Sequence, residues 1–593
     1  MKYIILATVL FCILMCVCYA PLKKYLVLPK REDSGKDEAQ GKTLILVILA
    51  VTGLIRMIGA ASYRGYDVDM NCFMGWSTMI YENGISKFYS LDAFTDYPPG
   101  YMYVLYVLGF LRSIFHMGDG TMAIVLTKSP AIIADLVTGW LIYKIAGKHI
   151  SKRAAAYLAG IFLITPAVFL DSVIWGQVDS VFTVFVLLMC YLVTEKKLIP
   201  SYFVFAAGIL IKPQTLIFTP VLIFGIIEQV ILENWKKETR EVFIKKFFTH
   251  LGLGLVAILM MFLLIIPFGF RGDFADSPII KQYADTISSY PYASVNAYNF
   301  WGLLGKNWTP QKEGFLYFSY RVWGTFFILQ ILALAVFVNF KSKQRETKYY
   351  FTGALIVTGM FTMSVRMHER YVYPAMVLLI LCFAIRPKVQ NFILYVSLSA
   401  VSFLNMAQVM FFYDPNNFDR LALYPKVVSL LMLLTFDLML YVAVTQYLLD
   451  KEPAVQQEIA SKNYRRKLLK NPKRLEKIRE AEERAKARNV VKPVIRTSED
   501  LPGMVRLDYI IVAVITVLYA VTAFADLGSR TVPATSMSLV KASEKGDIIF
   551  DFGKNVQISK IWDYLGSYNN PKYTIDYAAE GDEQWSNYYS EEN

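Results

Sequence analysis

Long apolar runs recur along the chain, separated by short polar segments, and many of the runs contain no charged residue. A helix of about 20 apolar residues is long enough to cross the ~30 Å hydrocarbon core of a bilayer. The pattern therefore predicts an all-α polytopic membrane protein. We expect about fourteen transmembrane helices, near 3–20, 43–61, 122–146, 154–170, 180–194, 199–211, 214–231, 250–268, 315–340, 349–366, 371–386, 391–412, 422–448 and 507–525.

The charges between these runs predict which connections face the cytoplasm. Lys and Arg are concentrated in alternate connections, at 22–42, 147–153, 194–197, 231–249, 341–348, 386–388 and 449–506. Basic connections tend to stay on the cytoplasmic side. The opposite connections are acidic or balanced: 62–100 has two Lys/Arg against five Asp/Glu, and 526–593 has six against eleven. Two apolar stretches, 101–116 and 122–146, lie between the outer connection 62–100 and the basic connection 147–153. Two full crossings would return the chain to the outside and place the basic connection there. We therefore predict that 101–116 is a partial or juxtamembrane helix.

Residues 1–20 and 449–506 each allow two interpretations. Residues 1–20 begin with one lysine before an apolar stretch, and a cleaved signal peptide is one interpretation. The four basic residues between 23 and 31 favour a retained first span. The charged segment 449–506 is predicted to be a cytoplasmic helical arm, or a contact for anionic lipids.

The segment 526–593 has a different pattern. Residues 547–553 and 572–577 alternate with period two between Gly and Asn turns, which predicts an extracytoplasmic β module. The stretch from Asp551 to Trp585 resembles the opening half of a discoidin-like jelly roll, and further strands would be needed to close that fold. The expected plan is an N-terminal span and basic loop (1–42), a transmembrane catalytic domain (43–448) with its first outer loop at 62–100, the arm (449–506), a last span (507–525) and the β module (526–593).

The composition excludes a soluble enzyme, a fibre and a disordered protein. The chain is 55% apolar and only 18% charged, whereas soluble domains are about 25% charged. Its net charge of +13 could indicate nucleic acid, but residues 451–500 alone carry 15 Lys/Arg against 8 Asp/Glu. In a membrane protein that bias is first a topology signal, so we expect membrane lipids and no nucleic acid as partners. Four histidines and six scattered cysteines predict neither a His-rich metal centre nor a disulfide framework.

Ionisable residues beside apolar spans are the candidates for chemistry. Asp67 and Asp69 follow the second span, and helical spacing of the apolar residues after them predicts an amphipathic surface helix. A carboxylate at that edge can take the proton of a sugar hydroxyl. The alternative is an ordinary helix cap.

Two further groups lie at turns between spans. Trp175, Gln177 and Asp179 combine an aromatic plate, an amide and an acid, which suits a sugar, although a Trp in the interfacial belt explains the same pattern. Lys212 precedes Pro213 within an apolar stretch and either binds a phosphate at a helix start or belongs to a tight turn.

The fourth group lies between two apolar runs and consists of Arg366, His368, Glu369 and Arg370. Ion pairs between helices account for part of it, and arginine also grips phosphate in bidentate fashion. The four groups together predict a base, a sugar-sized cleft and a phosphate clamp at one membrane face. Nucleotide sugars are absent outside the cell, so a polyprenyl-phosphate sugar suits this site as the donor, with cations stabilising the leaving phosphate.

These residues resemble a known family. The chain is similar over about 43–448 to GT-C fold glycosyltransferases that use a lipid-phosphate sugar, near the Alg6/Alg8-type glucosyltransferases and the PIG-M-type mannosyltransferases. The elements that carry the resemblance are Asp67-Val68-Asp69, Tyr97-Pro98-Pro99, Ala134-Asp135, Gly176-Gln177-Val178-Asp179 and His368-Glu369-Arg370. Arg370 stands where that family usually has Lys, and Asn71-Cys72 where it usually has Gln-Arg.

The resemblance implies roles for the candidates. It implies a GT-C hexosyltransferase that inverts the anomeric centre by direct displacement, on a lipid-linked or cell-surface glycan acceptor. Asp67 would be the base, and Asp69 would orient the acceptor or, with Asp179, hold a divalent cation such as Mg²⁺ or Mn²⁺. The donor phosphate would meet Lys212, Arg366, His368 and Arg370, and sugar or acceptor would meet Tyr97, Trp175, Gln177, Asp179 and Glu369.

Two other functions are compatible with a polytopic protein. A lipid-linked saccharide or polysaccharide transporter would place polar groups at mid-membrane and show repeated halves, whereas here the acids cluster at one edge. A non-catalytic surface protein that displays the β module is the other alternative. The sequence favours the glycosyltransferase, in the cell membrane with its active site and β module on the extracytoplasmic side.

Overall fold

The computed structural model describes residues 1–26, 34–91, 94–233, 240–269, 289–413 and 422–449, together with four short strands near the C-terminus. The chain divides into two compact units, Met1–Asp526 and Leu527–Asn593. The predicted arm and the predicted last span at 507–525 lie outside the described residues.

The described part of the first unit consists mainly of helices. In chain order they are α1 (Lys2–Tyr25), α2 (Ser34–Ser62), α3 (Asp67–Asn83), α4 (Pro99–Ile114), α5 (Thr121–Ala146), α6 (Lys152–Ile164), α7 (Pro166–Phe169), α8 (Asp179–Thr194), α9 (Leu198–Ile211), α10 (Thr219–Ile226), α11 (Arg240–Ile265), α12 (Phe300–Leu303), α13 (Tyr320–Lys341), α14 (Lys348–Met363), α15 (Tyr373–Ile385), α16 (Val389–Phe412) and α17 (Leu423–Val442). Three π-helices follow α7, α10 and α17, at Leu170–Trp175, Ile227–Leu232 and Ala443–Leu448.

Eight helices within the described residues are long and apolar enough to cross a membrane, and a bent pair would make a ninth. Three shorter apolar helices, α8, α9 and α15, lie among them. The prediction of a polytopic helical membrane protein is therefore confirmed, whereas the number fourteen stays a prediction. The stretch 101–116 forms α4, which packs on α3.

Burial separates the centre of the bundle from its periphery. Every residue of α15 is buried, which is typical of a helix that is apolar all round and enclosed by others. It packs between α14 and α16. In contrast, α1, α2 and α11 keep large apolar side chains exposed, as helices facing lipid do.

Several predicted spans end elsewhere for local reasons. The span predicted at 154–170 is broken, because Thr165 is extended and Pro166 begins a new helix that is bent by 55° from α6. The span predicted at 315–340 begins only at Tyr320, because a two-residue hairpin, β1 (Gly314–Phe315) and β2 (Phe318–Ser319), precedes it. The span predicted at 349–366 ends at Met363.

The second unit contains two antiparallel strand pairs. These are β3 (Leu539–Ala542) with β4 (Ile548–Phe550), and β5 (Thr574–Tyr577) with β6 (Ser586–Ser590). Strands β4 and β5 fall within the two segments whose alternation predicts strands. The discoidin-like fold stays a prediction, since the rest of the module lies outside the described residues.

Candidate active site

Of the two acids in the first candidate group, Asp67 and Asp69, it is Asp69 whose side chain contacts other candidate residues. It lies in the first turn of α3, and its Oδ2 accepts hydrogen bonds from Trp175 Nε1 at 2.7 Å and from Gln177 Nε2. Asp67 lies two positions earlier, with 77% of its side chain exposed and its Oδ1 2.6 Å from Arg64 Nη1. The structure therefore places Asp69, and not Asp67, against the second candidate group.

Helix α3 is held in place by α4 through a close backbone approach. Gly109 of α4 lies so near that an added Cβ would be 2.1 Å from the Ser77 carbonyl oxygen of α3. Arg112 Nη1 reinforces the pair by donating to the Met74 carbonyl at 3.0 Å. The buried face of α3 consists of residues at helical spacing, Met70, Phe73, Met74, Trp76, Ser77 and Ile80, so the predicted amphipathic helix is present and its first turn is fixed.

The turn that carries Trp175 and Gln177 depends on an irregular helix. After the bend at Pro166 the chain continues as a π-helix to Trp175, and Gly176 then adopts φ +88°. Glycine is needed there because that conformation is strained for other residues, and a Cβ would lie 2.8 Å from Met70 Cε. π-Helical segments are frequent at functional sites.

Lys128, which the sequence analysis did not select, ties this turn to the start of the first loop. Its Nζ donates to three backbone carbonyls, those of Tyr63 at 2.7 Å, Val173 at 2.8 Å and Ile174 at 3.1 Å. These carbonyls end α2 and the π-helix, where backbone acceptors lack intrahelical partners. Because Lys128 lies within an apolar span, an ionisable residue at that position was a signal for it.

The second half of the site is an ion-pair cluster. Lys212 Nζ lies 2.9 and 3.0 Å from the two carboxylate oxygens of Asp179. Arg370 Nε lies 3.4 Å from Asp179 Oδ2, and Arg370 Nη1 pairs with Glu369. Both acids and Lys212 are buried. Four residues from three groups of the sequence analysis thus meet at one place.

Trp175 and Tyr97 join the two halves. The Arg370 guanidinium lies 5.4 Å from the centre of the Trp175 ring, whose indole N–H is bonded to Asp69. The Tyr97 hydroxyl donates to Gln177 Oε1 at 3.2 Å, and its ring lies 5.9 Å from Lys212 Nζ. All of these positions are at the end of the bundle where α2, α9 and α14 finish and α8 and α15 begin.

Electrostatics in the loops of the site shift the pKa of three residues. Burial, with Arg370 and Lys212 nearby, lowers the pKa of His368 well below its ordinary value, so the imidazole is neutral at pH 7 and adds no charge to a phosphate clamp. Burial raises the pKa of Glu369, and Arg370 opposes that rise. Burial and then Asp69 raise the pKa of Asp96 to about 6, against Arg370 and Lys212. Asp96 directly precedes Tyr97 and was also missed.

Arg366 takes a different place from the other cations. Its Nη2 donates to the Ser289 carbonyl at 2.6 Å, and its backbone N–H donates to the Tyr292 carbonyl at 3.0 Å. The structure therefore assigns Arg366 to the packing of the loop 364–372 against the segment that follows residue 289.

Two buried acids lie beneath the site. Asp135 accepts from Arg56 Nη2 at 3.3 Å and from the Tyr373 hydroxyl at 2.6 Å, and Ser172 also donates to it. The carboxylate of Asp171, fully buried, has no hydrogen-bond partner among the described residues. Asp171 interacts electrostatically with Asp179 and Lys212, and its position at the end of a predicted span was the signal for it.

The carboxylates of Asp69 and Asp179 are contacted by side-chain nitrogen atoms of Trp175, Gln177, Lys212 and Arg370. Within the described ranges no three His, Cys, Asp or Glu side chains are arranged to hold a metal ion. A requirement for a divalent cation at Asp69 and Asp179 stays a prediction.

A scan against known families finds one that covers much of this site. The model for dolichyl-phosphate-mannose-protein mannosyltransferases matches residues 96–266. This segment matches a membrane mannosyltransferase family of the GT-C superfamily. The matched residues include Tyr97, Asp135, Trp175, Asp179 and Lys212, whereas Asp69 and Arg370 lie on either side. The resemblance to GT-C glycosyltransferases is thereby confirmed for residues 96–266, and the long apolar helices agree with a multi-pass membrane protein. A search of curated proteins found no match.

Proposed function

We propose that the chain is an inverting hexosyltransferase that moves a hexose from a polyprenyl-phosphate donor to an acceptor hydroxyl on the extracytoplasmic face of the membrane. The observation that carries the proposal is the meeting of Asp69 with the ion-pair cluster of Asp179, Lys212, Glu369 and Arg370 through Trp175. A base and a set of cations at one end of the bundle are what such a transfer needs.

Asp69 is the proposed base. The acceptor oxygen attacks the anomeric carbon of the hexose while the bond from that carbon to the phosphate oxygen breaks. The hydroxyl proton passes to the Asp69 carboxylate, and the bonding electrons leave with the phosphate. Trp175 and Gln177 orient the carboxylate by donating to Oδ2, which leaves Oδ1 to face the acceptor.

Lys212 and Arg370 are the proposed partners of the leaving phosphate. In the resting structure their charges are held by Asp179 and Glu369, so the cations are fixed before the donor binds. A guanidinium has five N–H donors, so Arg370 can keep Glu369 and still bind a phosphate oxygen. Fixed donors of this kind stabilise charge that develops in the transition state.

The sidedness rests on charge. The connection between α5 and α6 carries Lys148, Lys152 and Arg153, and it lies at the opposite end of α5 from Lys128 and the site. Because basic connections tend to remain in the cytoplasm, the site would face outward, where lipid-linked donors are available.

The test uses the purified protein in nanodiscs with a set of defined polyprenyl-phosphate hexoses and a cell-envelope extract as acceptor. We expect one hexose to be transferred with inversion and free polyprenyl phosphate to appear in equal amount, measured by mass spectrometry and NMR. Retention of the anomeric configuration, or movement of the lipid between leaflets without transfer, would contradict the proposal.

A further inference from the structure

A segment next to the active site packs directly on the loop 364–372, which carries Arg370. The Val295 N–H donates to the Met367 carbonyl at 3.0 Å, and the Arg366 N–H donates to the Tyr292 carbonyl at 3.0 Å. The residues that follow position 289 therefore share one surface with the loop 364–372.

Partly exposed aromatic rings cover this surface. The Tyr290 ring lies 4.7 Å from the His368 ring, and the Tyr292 ring lies 5.1 Å from that of Trp308. The Trp308 indole N–H is fixed by Asn296 Oδ1 at 2.9 Å. We call Tyr290, Tyr292, Trp308 and His368 the aromatic surface. It is continuous with the active site, because the His368 ring is 4.9 Å from Tyr371 and Glu369 and Arg370 come between them in the chain.

Strained backbone is concentrated in the same place. Four of the eight non-glycine residues with positive φ in the described part of the chain belong to these two segments, namely Tyr290 (+55°), Asn296 (+58°), Trp308 (+55°) and Arg366 (+64°). Bulky residues adopt such angles only where the surrounding structure enforces them, and such sites cluster where proteins bind ligands. An ordinary belt of interfacial aromatic residues does not need this strain.

The backbone of the segment is already paired. The Ala293 N–H donates to Thr309 at 2.7 Å, the Trp308 N–H to Ser294 at 2.9 Å and the Gln311 N–H to Pro291 at 2.8 Å. A peptide acceptor in extended form is usually held by main-chain hydrogen bonds to an open strand edge, and these groups are engaged within the segment itself. What the surface offers is ring faces, whose negative potential attracts the C–H groups on the flat side of a pyranose.

Resting on the proposed function, we propose that the aromatic surface binds a sugar ring of the acceptor, so that the acceptor is a glycan rather than a protein. The description of the matched family names protein mannosyltransferases, and the inference departs from it on this point. The acceptor sugar would stack on Tyr290 and Trp308 with a hydroxyl directed toward Asp69.

The experiment measures ligand binding to the full protein in nanodiscs by saturation-transfer NMR, with mannotriose, maltotriose, cellotriose and a Ser/Thr-rich peptide as probes. Tyr290→Ala removes a ring from the surface and Tyr290→Phe keeps it. The matched control is Tyr317→Ala, at a fully exposed tyrosine in the turn between β1 and β2. Because Tyr290 is itself exposed, its loss is not expected to prevent folding.

We expect at least one trisaccharide to bind, and Tyr290→Ala to weaken it ~10-fold, equivalent to ~1.4 kcal/mol, with Tyr290→Phe and Tyr317→Ala like the wild type. Binding of the peptide alone, binding of no saccharide, or equal weakening by Tyr317→Ala would overturn the inference. This readout needs no transfer, so a failure of the proposed donor chemistry would leave it standing.

Discussion

Replacing Asp69 by Asn tests which of the two acids is the base. The amide keeps the shape of the carboxylate and one acceptor oxygen for Trp175 and Gln177, but it cannot take a proton. A general base contributes about 10²- to 10⁴-fold to a rate, so Asp69→Asn is expected to lower hexose transfer by that factor. The matched control is Asp67→Asn, at a side chain that is 77% exposed.

For the variants Asp69→Asn and Asp67→Asn, a loss of the proton acceptor must be distinguished from a loss of folding stability. Exchanging a charge-assisted hydrogen bond for a neutral one costs about 1 kcal/mol, so Asp69→Asn should remain folded. Exposed ion pairs contribute about 0–1 kcal/mol, so Asp67→Asn should transfer sugar within about twofold of the wild type. Initial rates in nanodiscs, at equal amounts of monodisperse protein, measure both. Near-normal transfer by Asp69→Asn, or an equal loss in Asp67→Asn, would refute the assignment.

Three further changes probe the surroundings of the site. Lys128→Met should lower transfer ~10-fold and speed amide exchange in segments 63–66 and 173–177, whereas Lys128→Arg should be closer to the wild type. Since the lysine acts through the turn that carries Gln177, the loss caused by Lys128→Met should be smaller in a Gln177→Ala background. Additive losses of the two substitutions would contradict this reasoning. Because burial and Asp69 raise the pKa of Asp96 from 3.8 to about 6, the stability that Asp96 contributes falls as the pH rises through this interval. Asp96→Asn should therefore raise the unfolding temperature much more at pH 8 than at pH 4, and an equal shift at both would contradict the reasoning. Lys212→Met leaves Asp179 buried without its main partner and should destabilise the protein by ~3–5 kcal/mol, whereas adding Asp179→Asn should restore the unfolding temperature but not transfer; no recovery would contradict the ion-pair account.

The sequence predicted which candidates meet because topology constrains them. Trp175, Asp179, Lys212 and Arg370 each stand where a span begins or ends, and the charges of the connections place those ends together. The same reasoning required 101–116 to be a partial or juxtamembrane helix. The structure has a helix there, α4, packed on α3, and its place relative to the membrane stays a prediction.

The choice between Asp67 and Asp69 needed the structure. Residues two apart on a helix do not face the same side, so only one of the acids can enter the site, and the pattern does not say which. The orientation of α3 is set by its contact with α4 at Gly109, which involves residues distant in sequence.

Burial also decides roles that residue types alone do not. The pattern around His368 suggested a cation, but its burial beside Arg370 and Lys212 favours the neutral ring. Asp171 and Lys128 were overlooked although each interrupts or borders an apolar run, and ionisable residues in such runs are functional candidates. The bend at Pro166 and the π-helix after it depend on packing that periodicity does not report.

The most direct test of the central claim is a cryo-electron microscopy structure of the protein with a polyprenyl-phosphate hexose bound. The account predicts the donor phosphate within hydrogen-bond distance of Lys212 Nζ and the Arg370 guanidinium, with the anomeric carbon on the side of Asp69. A phosphate bound away from both cations, or a hexose separated from Asp69 by packed helices, would contradict it.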